Sequence, residues 1–135
     1  AVESAQENIP NCELLAVTVL TSMDQAQLNA VGVKTSPEEQ VKDLARMAIQ
    51  SGVHGCVCSP LELPLLRNVL GPKPVLVTPG IRYPDGKADD QNRVMTPLQA
   101  AQAGASFIVV GRPILKAKDP VAESIKICRE IGETK

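Results

Sequence analysis

A helix-start signal recurs through this chain, and each time it follows a short apolar run. Ser36-Pro37-Glu38-Glu39, Ser59-Pro60-Leu61-Glu62 and Thr96-Pro97-Leu98-Gln99 share one pattern. Each has a capping hydroxyl, proline at the first helical position and a reciprocal Glu or Gln three residues after the cap. Asp119-Pro120 keeps the cap and the proline but has Ala122 where the reciprocal side chain would stand. The runs at 14–20, 55–58, 75–78 and 107–110 are short, apolar and rich in β-branched residues. Runs of this kind read as strands buried on both faces of a parallel sheet. Strand and helix alternating four times imply an α/β chain of parallel β/α units joined by right-handed crossovers. A (β/α)₈ TIM barrel takes about 250 residues for eight units, so 135 residues holding four units read as half a barrel.

Helices fill the intervals. Residues 1–8 read as the end of a helix, and Asp24 can start a short one. After Pro37, the apolar positions Val41, Leu44, Ala45, Ala48 and Ile49 form a one-sided stripe that Gly52 ends. A helix is expected from Pro60 to about Leu70, with Pro64 tolerated in its first turn. Another is expected from Thr96 to Ala103, and a last one from Pro120 to about Ile131, packed through Val121, Ile125 and Cys128. Between Tyr83 and Arg93 runs a long polar loop.

Two strand ends carry the chemistry. Val75-Leu-Val-Thr-Pro-Gly-Ile-Arg82 and Phe107-Ile-Val-Val-Gly-Arg-Pro113 each close an apolar run with glycine and then arginine. Glycine lets a ligand approach the backbone, and arginine offers a planar cationic fork suited to phosphate. Side by side, the two ends would make an anion pocket on the face where barrel enzymes keep their active sites.

Composition narrows the partners. Fifteen acidic and fourteen basic residues leave the chain near neutral, without the basic excess usual for nucleic-acid binders. Tyr83 and Phe107 are the only aromatics, so there is no stacking platform for bases. No apolar run approaches the roughly 20 residues of a membrane span. Residues 1–8 carry no signal-peptide pattern, so Cys12, Cys56, Cys58 and Cys128 are expected as reduced thiols of a cytoplasmic protein. His54, Cys56 and Cys58 alternate and would share one face of a strand. With no second histidine or further cysteine pair to complete a zinc spacing, no metal site is expected.

The chain resembles the C-terminal half of the orotidine 5′-phosphate decarboxylase family. The resemblance rests on Leu15-Ala-Val-Thr-Val-Leu-Thr-Ser-Met23, Val57-Cys-Ser59, Leu76-Val-Thr-Pro-Gly-Ile-Arg82, Asp90-Gln91, Arg93, Met95-Thr-Pro97 and Val110-Gly-Arg-Pro113. It implies one half-barrel domain over residues 1–135, with the N-terminal half absent. The implied activity is decarboxylation of orotidine 5′-monophosphate to uridine 5′-monophosphate in de novo pyrimidine synthesis, without metal or organic cofactor. It makes Arg112 the main phosphate arginine, with the Gly111 backbone beside it and Arg82 as a second contact. Gln91 becomes a bridge between phosphate and pyrimidine, Thr21 a contact to the ring and Pro79 an apolar wall. Thr21 has a plainer use too, as the cap of the helix that follows.

The family's catalytic lysine and its Asp-x-Lys-x-x-Asp motif belong to the N-terminal half, so no catalytic residue is expected in this chain. Asp85-Gly-Lys87-Ala-Asp-Asp90 matches the motif literally, but in a polar loop and not at a strand end. It reads as coincidence, since a motif needs its structural context. The expectation is a fragment, inactive alone, that pairs with its missing half or with a copy of itself. The family forms homodimers. Two rivals stand beside this reading: another phosphate-binding barrel of the superfamily, such as a sugar-phosphate decarboxylase or aldolase, and a non-catalytic half-barrel that binds phosphorylated ligands.

Overall fold

A computed structural model describes residues 2–8, 11–83 and 94–132. Its elements are α1 (Val2–Asn8), β1 (Leu15–Val17), α2 (Gln25–Ala30), α3 (Pro37–Gln50), β2 (Gly55–Val57), α4 (Leu63–Leu70) and β3 (Val75–Thr78), then α5 (Pro97–Gln102), β4 (Phe107–Ile108), α6 (Arg112–Leu115) and α7 (Pro120–Gly132). The strands form one sheet in the order β1-β2-β3-β4, and every neighbouring pair is parallel. This is the expected α/β plan.

The capping signals act as the sequence indicates. Ser36 Oγ accepts from the Glu39 amide at 3.2 Å, and the Glu39 carboxylate accepts from the Ser36 amide at 3.4 Å. Thr96 and Gln99 reciprocate at 3.0 and 3.2 Å. At Ser59 half of the box forms: the Glu62 carboxylate accepts from the Ser59 amide at 2.8 Å, in front of a 3₁₀ turn at Pro60–Glu62 that leads into α4. Asp119 Oδ1, lacking a reciprocal partner, accepts from both the Val121 and Ala122 amides at 3.0 Å. The cap of α2 is Asp24, boxed with Gln27, and not Thr21.

Strand alternation sorts the side chains onto two unlike faces. Cys56, Leu76 and Thr78 point toward the helices and are fully buried or nearly so, packed with Val41 and Ala45 of α3, Leu63 and Leu66 of α4, and Ala100 of α5. Along the other face Val17, Val57, Val77 and Phe107 stand in one register row. There the strands are not buried on both faces as expected: Val17 is 62% exposed and Phe107 60%. A parallel sheet normally has both faces covered, so this face and the outer edges of β1 and β4 lack their packing layer among the described residues. The stripe on α7 departs from expectation in the same way. Val121, Ile125 and Cys128 are exposed, and Ile127 is the buried residue of that helix.

One side chain ties the ends of the strands away from the arginines. Arg67, on α4, donates from Nε to the Gly104 carbonyl at 2.8 Å. Its Nη1 donates to the carbonyls of Gly71 at 3.2 Å and Pro74 at 2.8 Å, and its Nη2 to Ser106 Oγ at 3.0 Å. Ser106 Oγ in turn accepts from the Leu76 amide at 3.1 Å. The turns that lead into β3 and β4 are thus joined through one guanidinium. Replacing Arg67 with methionine keeps much of the stem but leaves several partly buried carbonyls unpaired, at a cost of about 3 kcal/mol. Urea denaturation is expected to show that loss, with ligand binding at the opposite end of the sheet unchanged.

Candidate functional site

At the C-terminal ends of the strands, hydroxyls finish the ladder. Thr18 Oγ1 donates to the Val57 carbonyl at 3.0 Å and Thr78 Oγ1 to the Cys58 carbonyl at 2.8 Å. The end of β2 is thereby held from both sides. The Val109 amide donates to the Thr78 carbonyl at 2.9 Å, which keeps the chain after β4 alongside the end of β3.

From there the two glycine–arginine segments diverge. After Pro79 the backbone turns at Gly80, whose φ of 78° lies in the left-handed region that glycine tolerates. The turn sets Ile81 beside Met95 in a parallel bridge, with the Arg82 amide donating to the Met95 carbonyl at 2.9 Å. On the other side Gly111 precedes α6, and its carbonyl accepts from the Ile114 and Leu115 amides at 3.1 and 3.0 Å.

Between these segments lies a cleft of about 270 Å³. Pro79, Arg82, Gly111 and Arg112, four of the six residues selected from the sequence, line it together. Gly80, Ile81, Val109, Pro113 and Leu115 also line it. Among the described residues the lining holds two arginines and no carboxylate, a positive site with apolar walls, able to attract and orient an anion. Both arginine side chains are half-buried, which strengthens their field relative to a fully solvated cation. A β-carbon built on Gly111 meets nothing within 4 Å, so the backbone there is open to close approach.

Thr21 is not part of this cleft. It lies beyond the end of β1, two strands away from β3 in the sheet, and is half-buried. Gln91, Arg93 and the Asp85–Asp90 motif with Lys87 lie outside the described residues. Gly80 is marked in the sequence as a place for close ligand approach, but Ile81 carries no signal there. Leu115 and the short helix α6 had none.

The sulfur and imidazole groups do not gather into a second site. Cys56 and Cys58 are buried on the helix side of the sheet. Burial pushes the Cys56 thiol up. Cys58 is pushed up to about 12, first by burial and then by the negative charges of Glu62 and Cys56, with Arg67 opposing. Both are protonated packing groups and not nucleophiles. His54 is exposed, and its Nδ1 accepts from the Leu14 amide at 2.9 Å, a structural tie between the approaches to β1 and β2. Among the described residues no three His, Cys, Asp or Glu side chains are grouped to hold a metal ion, and no helix is long and apolar enough to cross a membrane.

Known proteins resemble this chain in sequence and fold. The pattern of the orotidine 5′-phosphate decarboxylase / HUMPS family matches residues 1–127. The orotidine 5′-phosphate decarboxylase of Opitutus terrae is 53% identical over 131 residues, covering 97% of this chain and 57% of the relative. That of Gluconobacter oxydans is 56% identical over 120 residues, covering 89% of this chain and 51% of the relative. Among solved structures, orotidine 5′-phosphate decarboxylase from Lactobacillus acidophilus matches with a TM-score of 0.74 at 43% identity, over 88% of this chain and 49% of that one. The enzyme from Pyrococcus horikoshii OT3, at 22% identity and a TM-score of 0.65, shares the fold. The chain spans about half the length of the curated relatives it matches.

Proposed function

The chain belongs to the orotidine 5′-phosphate decarboxylase / HUMPS family, and from that membership we propose that it forms the phosphate-holding half of a barrel that converts orotidine 5′-monophosphate to uridine 5′-monophosphate. One observation carries the reading: arginines from two adjacent strand ends line one cleft. Arg112 and Arg82 grip the phosphate dianion through charge-assisted hydrogen bonds, with the Gly111 backbone beside them. Pro79 supplies an apolar wall near the base. Thr21, across the strand ends, and Gln91 take the pyrimidine side. Binding the phosphate far from the carbon that loses CO₂ supplies energy that the reaction uses remotely.

The lysine and aspartates that complete the chemistry come from four further β/α units, for which the greater length of the relatives leaves room. Those units cover the exposed row of Val17 and Phe107 and pair with the free edges of β1 and β4, closing eight strands into a barrel. The closed barrel works as a homodimer in the cytoplasm and needs no metal or organic cofactor.

The test is complementation. This chain alone is expected to show no decarboxylation of orotidine 5′-monophosphate. Turnover is expected when it is refolded with the segment of the Opitutus terrae relative that precedes the matched region. Turnover by the chain alone, abolished by Lys87→Ala, would overturn the reading and make the loop motif the catalytic one.

A further inference from the structure

Arg82 and Tyr83 are consecutive, yet they serve different surfaces. Arg82 lines the cleft. The ring of Tyr83 lies under the Lys126 ammonium of α7, with Nζ 3.9 Å from the ring centroid. Lys126 is itself held by Glu123, one turn earlier on α7, at 3.5 Å. The Tyr83 hydroxyl is buried beside Glu130 of α7, short of a well-formed hydrogen bond. Burial first, then the approach of the Glu130 carboxylate to the hydroxyl and the charges of Glu130 and Glu123, hold its ionisation well above the usual phenol range. The ring under the Lys126 ammonium is the better-formed of its two contacts with α7.

The same helix supports the other arginine. Arg112 opens α6, and α6 packs on α7. Arg82 is pinned through its amide to Met95 on one side and through its neighbour Tyr83 to α7 on the other. The segments that carry both arginines are thus packed on one helix, and the tie through Tyr83 is one of the contacts that set the gap between them.

We propose that Tyr83 is a positioning residue that, by docking on α7, sets the spacing of Arg82 from Arg112 and so fits the cleft to a dianion. The proposal rests on the phosphate reading of the cleft but concerns a residue outside the cleft lining. It is tested with three substitutions, each measured for binding of uridine 5′-monophosphate and of uridine. Tyr83→Ala is expected to weaken nucleotide binding about tenfold with uridine binding unchanged, the usual scale of a misplaced contact. Tyr83→Phe keeps the ring and is expected to bind as the parent does. Lys126→Met removes the cation from the ring and is expected to cost about threefold.

Parent-like nucleotide binding by Tyr83→Ala, with only a lowered unfolding midpoint, overturns the proposal by reducing Tyr83 to a packing residue. Loss in Tyr83→Phe equal to that in Tyr83→Ala overturns it as well, because the hydroxyl would then be the active group. If Tyr83→Ala does not fold, Lys126→Met decides: an unchanged preference for nucleotide over uridine sinks the idea. Should the parent fail to prefer nucleotide over uridine, the phosphate reading falls by itself. Nitrogen-15 relaxation at the Arg82 Nε–H then still decides the positioning role. Greater mobility in Tyr83→Ala than in the parent supports it, and equal order overturns it.

Discussion

Replacing Arg112 with alanine is expected to weaken binding of uridine 5′-monophosphate by about a hundredfold or more, with uridine binding as before. Arg112 follows Gly111 directly at the start of α6, and both line the cleft with Arg82. A guanidinium meets a phosphate through two parallel charge-assisted hydrogen bonds, worth about 3 kcal/mol together when partly shielded from water. Each 1.4 kcal/mol is about tenfold in affinity. Arg112→Lys restores the charge without the planar fork, so it should recover about a tenfold part of the loss. Titration calorimetry of parent and both variants checks the series. An equal loss for uridine would assign Arg112 to the architecture and remove it from the phosphate.

Gly55→Ala is expected to unfold the chain or bring it to the edge of unfolding, at a cost of about 4 kcal/mol or more. Gly55 opens β2, which has a paired neighbour on each side, and its register partner across the sheet is Val75. A β-carbon added there would overlap the Val75 carbonyl oxygen and stand 2.6 Å from its carbonyl carbon and 2.7 Å from its Cβ. These are backbone and branch-point atoms, not the far end of a flexible side chain. Relief therefore requires β2 and β3 to separate. A domain with about 5–15 kcal/mol of total stability has little margin for that. Urea titration followed by circular dichroism gives the answer, and a parent-like midpoint would contradict the packing described for the pair.

Much of this was readable in the residues themselves. Ser36, Thr96 and Asp119 announce their helices because a cap is a local event, complete within four residues. Val75–Thr78 was placed correctly because a central strand with helices behind it needs an unbroken apolar run. The edge strands are shorter than expected, Leu15–Val17 and Phe107–Ile108, since each has a partner on one side only. The stripe of Val121, Ile125 and Cys128 was visible as a periodicity, but periodicity identifies an apolar face and not what covers it. Arg82 and Arg112 stood out because each ends an apolar run after a glycine. Their meeting in one cleft needed the parallel register that sets β3 beside β4. Arg67 and Tyr83 carried no signal at all. Gly104 is 37 residues from Arg67, and Lys126 is similarly remote from Tyr83, so no window of sequence holds either contact.

The Arg67 clamp has a consequence for how such a chain can change over generations. It fastens the strand entrances by main-chain carbonyls, whose positions hardly depend on which side chains the neighbouring residues carry. The described residues that line the cleft sit at the strand exits. Substitutions that retune recognition therefore accumulate without loosening the foundation, and a lineage built on this plan can diversify its chemistry faster than its architecture.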